Sequence, residues 1–556
     1  MDSNDSEKGS EIIYTFPGTL LKKTKPSTDT NFSILSLEEL EEIGDKNKDL
    51  KPINIHETNE SIEEKIKQLS AALKQTSRIG TYNQYLNTLY SDQENMLNEV
   101  ERILDNSLGK GHNAAADLIT LRTSFIAPRI FTLWLTTFER GISLLQKSTR
   151  RIEHNGYFIP RVFSENKKIE EEYSLIIQKI NEDYNKLLEG YDEEQRKKLR
   201  EDAMYIQPLS LLSTLTADIS LRAFWQMFLE SGIESNSKAE KIVKNEDSLS
   251  SILEYTSRIF DNLKEKSDFL VKKWNTNYDQ LQYYPSGGFL SSKDEITDDI
   301  EEILNQKFFN PFSDLNYRFE SPSNTLVLDF SDPLKVIERF GIDKIIKVLK
   351  SKNDNEIKKM FDILKTVNLK VIRAMDLSLL HQETRHRTIP KEYEPLVYAA
   401  ERALEHIKFV ESIGNKYHEY VKSNEEYFEN NSYFNYPKAF KDKKRIEIVA
   451  KDYAMLLNFW EKLVKEYNLK PEIANIVLPH GLKLLVVENI DFYNLVKLSS
   501  ERLCATAKRE MQSLTENLRN MIEVQVGKDI SLLLQPKCYY LRKCPDQIQN
   551  CQKKLF

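Results

Sequence analysis

Apolar residues recur at helical spacing through long stretches of this chain. Leu86, Leu89, Met96, Val100 and Ile103 share one face, and Tyr173, Ile176, Ile177, Ile180, Tyr184 and Leu187 share another. Residues 221–229 carry a third such pattern, so helices are expected to dominate from about 66 to 262. Before them, residues 1–65 are polar with short apolar interludes, which predicts an extension with little core of its own, partly disordered. Residues 283–289, Tyr-Tyr-Pro-Ser-Gly-Gly-Phe, followed by an acidic run to Glu302, read as a linker. A strand is expected at 325–330, helices from Pro333 to about Tyr427, a polar Asn- and Tyr-rich insertion at 424–437, and a helix near 445–467. The resulting division is an extension (1–65), a first domain (66–265), a linker (266–318), a second domain (319–530) and a Cys-containing tail (531–556).

The two domains look like copies. Ile206-Gln-Pro-Leu-Ser210 and Val477-Leu-Pro-His-Gly481 each follow a helical pattern and lead into an apolar run, with Pro208 and Pro479 lying 271 positions apart. At that offset residues 223–227 fall opposite 494–498 without a gap. Arg140 and Arg387 are 247 apart, so the second copy needs 24 additional residues, most of which the insertion at 424–437 accommodates.

Composition narrows the function. A chain of 556 residues holds two to four ordinary domains. Its net charge of -7, from 79 basic and 86 acidic side chains without a basic stripe, argues against a nucleic-acid partner; the basic run 441–445 reads as solvated helix surface. The strongest apolar run, 125–135, contains Pro128 and Arg129 and is shorter than the roughly 18 residues of a membrane span, so no membrane partner is expected. The first eight residues are polar and acidic rather than a secretory signal, and four cysteines do not make a disulfide framework; a cytoplasmic protein is expected. Cys538, Cys544 and Cys551 are spaced C-x5-C-x6-C, without a C-x2-C pair or a nearby His, so they are read as ordinary thiols rather than a metal site. No Ser/His/Asp triad, P-loop or G-x-G-x-x-G turn is present.

The informative residues form a split motif. Residues 138–150 read F-E-R-G-I-S-L-L-Q-K-S-T-R and residues 385–397 read R-H-R-T-I-P-K-E-Y-E-P-L-V. Against R-H-R-x-x-S-x-x-x-x-S-x-R, the first keeps Arg140, Ser143, Ser148 and Arg150, and the second keeps Arg385, His386 and Arg387. Arginine offers a rigid fork of donors for phosphate or carbonyl oxygens. Gln382 stands three residues before Arg385, and a Gly111-His112 pair precedes the first motif. Ser220-Leu-Arg222 leads a helical pattern ending at Ser231, and Asp491-Phe-Tyr493 leads one that reaches Arg502.

These elements resemble the flavin-dependent thymidylate synthases, whose signature is the R-H-R motif and whose later helix carries Asn-x-Arg and a distal Arg. The resemblance covers roughly 70–260 and 320–556. It implies a helix-rich α+β fold with two such domains, each a small twisted, mostly antiparallel sheet flanked by long helices. It further implies an enzyme that methylates deoxyuridine monophosphate (dUMP) to thymidylate. Methylenetetrahydrofolate would be the carbon donor, with flavin adenine dinucleotide (FAD) and NADPH as reductant. By resemblance, Arg385, His386, Arg387, His112 and Arg140 would serve the flavin. Gln382, Ser143, Ser148, Arg150, Arg222 and Arg502 would serve the nucleotide. No side-chain nucleophile is expected, because the cofactor carries the chemistry. Complementary losses in the halves suggest sites shared between copies and a homodimer that mimics the family's tetramer. Phe138-Glu139 in place of Arg-His, and the missing Ser-x-Arg in the second copy, favour the alternative of an inactive relative that binds nucleotide or flavin or serves in assembly. A helical scaffold with accidental motif matches is the third possibility.

Overall fold

The computed structural model describes residues 32–47, 50–56, 61–77, 80–91, 93–108, 113–138, 140–146, 156–231, 233–235, 242–244, 251–267, 325–330, 368–384, 386–424, 431–440, 442–525, 528–541 and 543–544, with single residues at 344, 347, 348, 365 and 551. The chain divides into two units, Met1–Ser286 with Met455–Pro479, and Gly287–Ala454 with His480–Phe556.

The first unit contains β1 (Ser33–Leu35), α1 (Leu37–Lys46), β2 (Ile53–His56), α2 (Ile62–Ser77), α3 (Tyr82–Ser91), α4 (Gln93–Ser107), β3 (Thr120–Pro128), α5 (Arg129–Thr137), β4 (Ile142–Gln146), β5 (Gly156–Phe158), α6 (Arg161–Ser164), α7 (Lys167–Leu187), α8 (Glu193–Ala203), β6 (Leu212–Ser220), α9 (Leu221–Glu230), β7 (Ile233–Ser235), β8 (Ile242–Lys244) and α10 (Ser251–Lys266). Its main sheet is antiparallel with order β2-β3-β6-β4. Although the first 65 residues are polar in bulk, Leu35, Leu37, Leu40, Ile53 and Ile55 are buried, and β2 is an outer strand of that sheet. Ser36 opens α1 through a reciprocal capping box with Glu39, and Asp192 does the same for α8 with Gln195. The pattern over 86–103 resolves into two helices, α3 and α4. The core is aromatic: Phe131 packs against Phe125, Trp134 and Tyr255 with ring centroids 5.1–5.7 Å apart.

The second unit holds β9 (Thr325–Phe330), β10 (Asn368–Asp376), α11 (Leu377–Glu383), β11 (Lys391–Tyr393), α12 (Leu396–Ser412), α13 (Tyr417–Ser423), β12 (Lys483–Asp491), α16 (Phe492–Arg502), α17 (Arg509–Gln525), α18 (Lys528–Ser531) and α19 (Lys537–Leu541). Helix α14 (Lys443–Lys465) begins in this unit and ends in the first, where α15 (Pro471–Ala474) also belongs. The sheet order is β9-β10-β12-β11, again antiparallel. Strands β10 and β11 lie where the hydrophobic pattern predicts only helices. β10 is buried along nearly its whole length, so it shows a continuous apolar run rather than the alternation that marks a half-exposed strand.

The fold is helix-rich α+β, and its two four-stranded sheets share one topology. In each, chain-order strands one, two, three and four lie side by side as 1-2-4-3. The registers correspond as well: Thr120 pairs with Ser220 and Asn368 with Asp491, while Ile142 pairs with Ile219 and Ile389 lies 247 positions beyond Ile142. Thus 271 relates β6 to β12, 248 relates β3 and α5 to β10 and α11, and 247 relates β4 to β11. Within the first unit, Pro208 and Pro479, the prolines related by the 271 offset, form a β-bridge with each other. No helix among the described residues is long and apolar enough to cross a membrane.

Candidate functional site

In the second unit two sequence-distant motif segments meet, Gln382–His386 and Arg502. Asp376 ends β10 and caps α11 by accepting from the Leu379 N–H, which brings Gln382 onto the last turn of that helix. The chain then turns, with the His386 N–H donating to Glu383 O (2.9 Å), and leaves along β11. Asp491 caps α16 in the same way, which places Arg502 at that helix's far end. Arg502 Nε donates to His386 Nε2 (3.1 Å), and its Nη2 donates to the Gln382 carbonyl (2.8 Å). Gln382 and His386 are buried, whereas Arg502 and Arg387 are half-buried. Thr388 donates to Asn494 Oδ1 at 2.6 Å and so ties the motif turn to the start of α16.

Beneath this cluster lie charges that the motif comparison did not single out. Arg373 of β10 and Glu383 and Glu488 are fully buried. The Arg373 Nε donates to Glu488 Oε2 at 2.5 Å, and its Nη2 lies 3.0 Å from Glu383 Oε1. Lys391, buried and directly opposite Glu488 in the β11–β12 register, donates to the carbonyls of His386 (2.8 Å) and Ile389 (3.0 Å). Burial pushes the Glu488 carboxyl up to about 7, although Arg373 opposes it. Burial also acts to raise Glu383, but Arg373, followed by His386, Lys391 and Arg502, holds that carboxyl at about 2. The surrounding cations, Arg373 first, thus keep Glu383 ionised, while burial brings the Glu488 carboxyl to titrate near neutrality. Burial pulls the His386 imidazole down to about 4, so it is neutral at pH 7; with Nε2 accepting from Arg502, its proton sits on Nδ1. A lone charge inside an otherwise apolar strand run, as in Leu484-Leu-Val-Val-Glu488, is the sequence signal that could have found these residues.

The first unit presents its motif residues differently. Arg140 and Ser143 are exposed, Ser143 on the edge strand β4 opposite Asp218. Gly141 has φ +76°, and a Cβ there would lie 2.6 Å from Ser220 Oγ, so this turn is pressed onto the start of α9. Ser220 caps α9 and donates to Asp117 Oδ1 at 3.1 Å, and Arg222 lies 3.4 Å from Asp117 Oδ2. Arg140, Ser220 and Arg222 therefore share one corner of the sheet. The position corresponding to Gln382 is Trp134, fully buried, with its indole N–H on Glu230 (2.7 Å) and its ring edge-on to Phe138 at 5.2 Å. Four expected site residues, His112, Ser148, Arg150 and Arg385, lie outside the described residues.

His386 and Arg502 fit a group that carries phosphates and hydrogen-bonding ring edges, since they bring a neutral imidazole and a cationic fork together beside the Gln382 backbone, with the half-buried Arg387 next along the chain. Trp134 and Phe138 do not. Among solved structures, flavin-dependent thymidylate synthase ThyX from Helicobacter pylori, complexed with FAD and dUMP, is similar at 15% identity and a TM-score of 0.29, covering 38% of this chain and 100% of that one. The UMP/dUMP methylase PolB from Streptomyces cacaoi bound with 5-Br dUMP is similar at 15% identity and 0.28, covering 38% and 89%. No curated protein matches. The family model described as thymidylate synthase complementing protein matches twice, over residues 57–241 and 358–526. Those two stretches take in well over half of the sequence, each holding three of the four strands of one of the equivalent sheets, and the chain belongs to that family, the flavin-dependent thymidylate synthases.

Proposed function

We propose that this chain binds FAD and dUMP and methylates the nucleotide, with methylenetetrahydrofolate as carbon donor and NADPH as the source of reducing equivalents. The observation that carries this reading is the meeting of His386 and the Gln382 backbone, from one motif segment, with Arg502 of another, in one partly buried cluster. Membership of the family supports FAD as the cofactor. When bound, the flavin supplies the hydride chemistry. The residues of the chain bind and orient. Arg502 is held by the Gln382 carbonyl and in turn fixes the ring plane of His386. His386 offers a neutral donor at Nδ1 instead of a second cation, leaving the positive charge to Arg387 and Arg502. In this proposal Arg385 joins them at the flavin, and Ser148, Arg150 and Arg222 serve the nucleotide phosphate. The test is the visible absorbance of the protein purified without added cofactor, followed by titration with FAD and dUMP. Flavin bands and saturable dUMP binding support the assignment; a colourless protein that takes up neither overturns it.

A second reading has its own observation. At the first-unit positions matching Gln382 and Arg385, buried Trp134 packs on Phe138, which leaves that copy without polar groups at those two places. This favours a relative that retains binding without turnover. Transfer of label from methylenetetrahydrofolate to dUMP separates the two: turnover supports the enzyme, and binding without transfer supports the second reading.

A further inference from the structure

The second unit buries four ionisable side chains at places where the first unit has apolar ones. Under the offsets that relate the two sheets, Arg373 corresponds to Phe125, Glu383 to Leu135, Glu488 to Ala217 and Lys391 to Leu144. Phe125, Leu135 and Ala217 are buried, and Leu144 is half-buried. The same sheet and the same two strand–helix junctions therefore form with apolar residues at all four places. The charges are not a requirement of the fold.

Nor are they a cheap alternative to it. Each buried ion costs several kcal/mol in lost hydration, which only good geometry offsets. Here the geometry is incomplete: among the described residues, Arg373 Nη1, Glu383 Oε2 and Glu488 Oε1 are buried without a hydrogen-bond partner. A cluster that costs stability, and that the sister copy does without, has to be retained for another reason.

That reason is visible in what the cluster touches. Arg373 grips Glu383 at the end of α11, next to Gln382, whose carbonyl receives Arg502. The Glu383 carbonyl accepts the His386 N–H. From β11, Lys391 closes the turn by bonding the carbonyls of His386 and Ile389, and Glu488 faces it across the β11–β12 pair. Glu383 and Lys391 thus bear on the backbone of Gln382, His386 and Ile389 directly, and Arg373 and Glu488 bear on it through them. We infer that Arg373, Glu383, Glu488 and Lys391 are positioning residues, a buried charge frame that fixes the Gln382–His386–Arg387 turn for its ligand. The copy whose turn does not hold the polar cluster has dispensed with the frame. This inference rests on the reading of the cluster as the nucleotide and flavin site.

The test transplants the first copy's residues. The full-length chain is made with Arg373→Phe, Glu383→Leu, Glu488→Ala and Lys391→Leu together, and with Lys391→Met and Lys391→Arg singly. Thermal unfolding, calorimetric titration with dUMP, and the rate of trypsin cleavage after Arg387 are measured. The fourfold variant is expected to unfold no lower than the natural chain. Its dUMP affinity should fall about 10- to 100-fold, the scale of a misplaced binding group, and cleavage after Arg387 should accelerate. Lys391→Met should move affinity and cleavage the same way, with Lys391→Arg restoring both. Unchanged affinity and cleavage in the fourfold variant and in Lys391→Met overturn the inference. So does a fourfold variant that folds but unfolds well below the natural chain, which would make the frame a stability element. If the fourfold variant does not fold, Lys391→Met against Lys391→Arg decides. If the natural chain binds no dUMP, it is the functional reading that fails, and the cleavage rates, which need no ligand, still judge the frame.

Discussion

Glu488→Gln gives the sharpest test of the buried charges, because it removes one titrating proton while keeping shape and an acceptor for Arg373. In the folded chain burial raises the Glu488 carboxyl from 4.5 to about 7. A group whose folded value is raised contributes stability that is fully present below the unfolded value and is lost as pH rises through the folded one. The window is therefore pH 4.5 to 7, and the shift corresponds to about 3 kcal/mol lost by pH 8. Glutamine has no such loss. The variant is expected to lie within about 1 kcal/mol of the natural protein near pH 5 and to be more stable at pH 8 by up to about 3 kcal/mol. Glu383 acts in the opposite sense: its folded value is depressed to about 2, so its contribution is present above 4.5 and is lost as pH falls toward 2 in both proteins. A chain of two units need not unfold in one step. The assay is therefore hydrogen exchange read on peptides from β10 and β12 at pH 5 and pH 8, corrected for the intrinsic rates. Equal pH dependence in the two proteins would refute the reasoning, since it would mean that both carboxylates are ionised at neutrality.

Arg502→Ala removes the donors to His386 and to the Gln382 carbonyl; flavin and dUMP affinity should fall by about 10- to 100-fold, read by fluorescence or calorimetric titration. Trp134→Ala should cost about 3–5 kcal/mol in the first unit, because it empties a fully buried aromatic site. It should leave flavin uptake unchanged, which absorbance after gel filtration checks. Gly141→Ala should destabilise the first unit by at least about 1–2 kcal/mol, since φ is +76° and the new Cβ would meet Ser220 Oγ and the Ala223 Cβ. Denaturant midpoints measure it. Glu172→Gln, which breaks a half-exposed pair with Lys462, should change stability by less than about 1 kcal/mol in the same assay.

Local chemistry was legible in the sequence wherever the signal is local. The pattern at 221–229 is α9, and that near 445–467 is α14. The motif spacings that related Pro208 to Pro479 and Arg140 to Arg387 are the offsets of the strand registers. Polar side chains at Ser220, Asp376 and Asp491 cap the helices that follow them, because a side-chain oxygen there meets an otherwise unbonded N–H. Strands β3, β6, β10 and β12 were not legible as strands. β10 and β12, buried on most of both faces, lose the alternation that separates a strand from a buried helix, whereas β3 and β6 alternate in burial along part of their length.

The sequence by itself determined which residue types were available to a site, and that the motif was divided between two copies. Only the tertiary structure decided which of them meet. Arg502 reaches His386 across 116 positions, and no spacing rule connects them; the antiparallel pairing of β10 with β12 does, by bringing the helices that follow each strand to the same end of the sheet. It also decided that Arg373, Glu383 and Glu488 form one cluster, while Phe125, Leu135 and Ala217 at the same places are buried core. The physical reason is that burial and partner are properties of the packed sheet: a carboxylate's charge state depends on water and cations that the chain assembles around it only once its distant strands have paired.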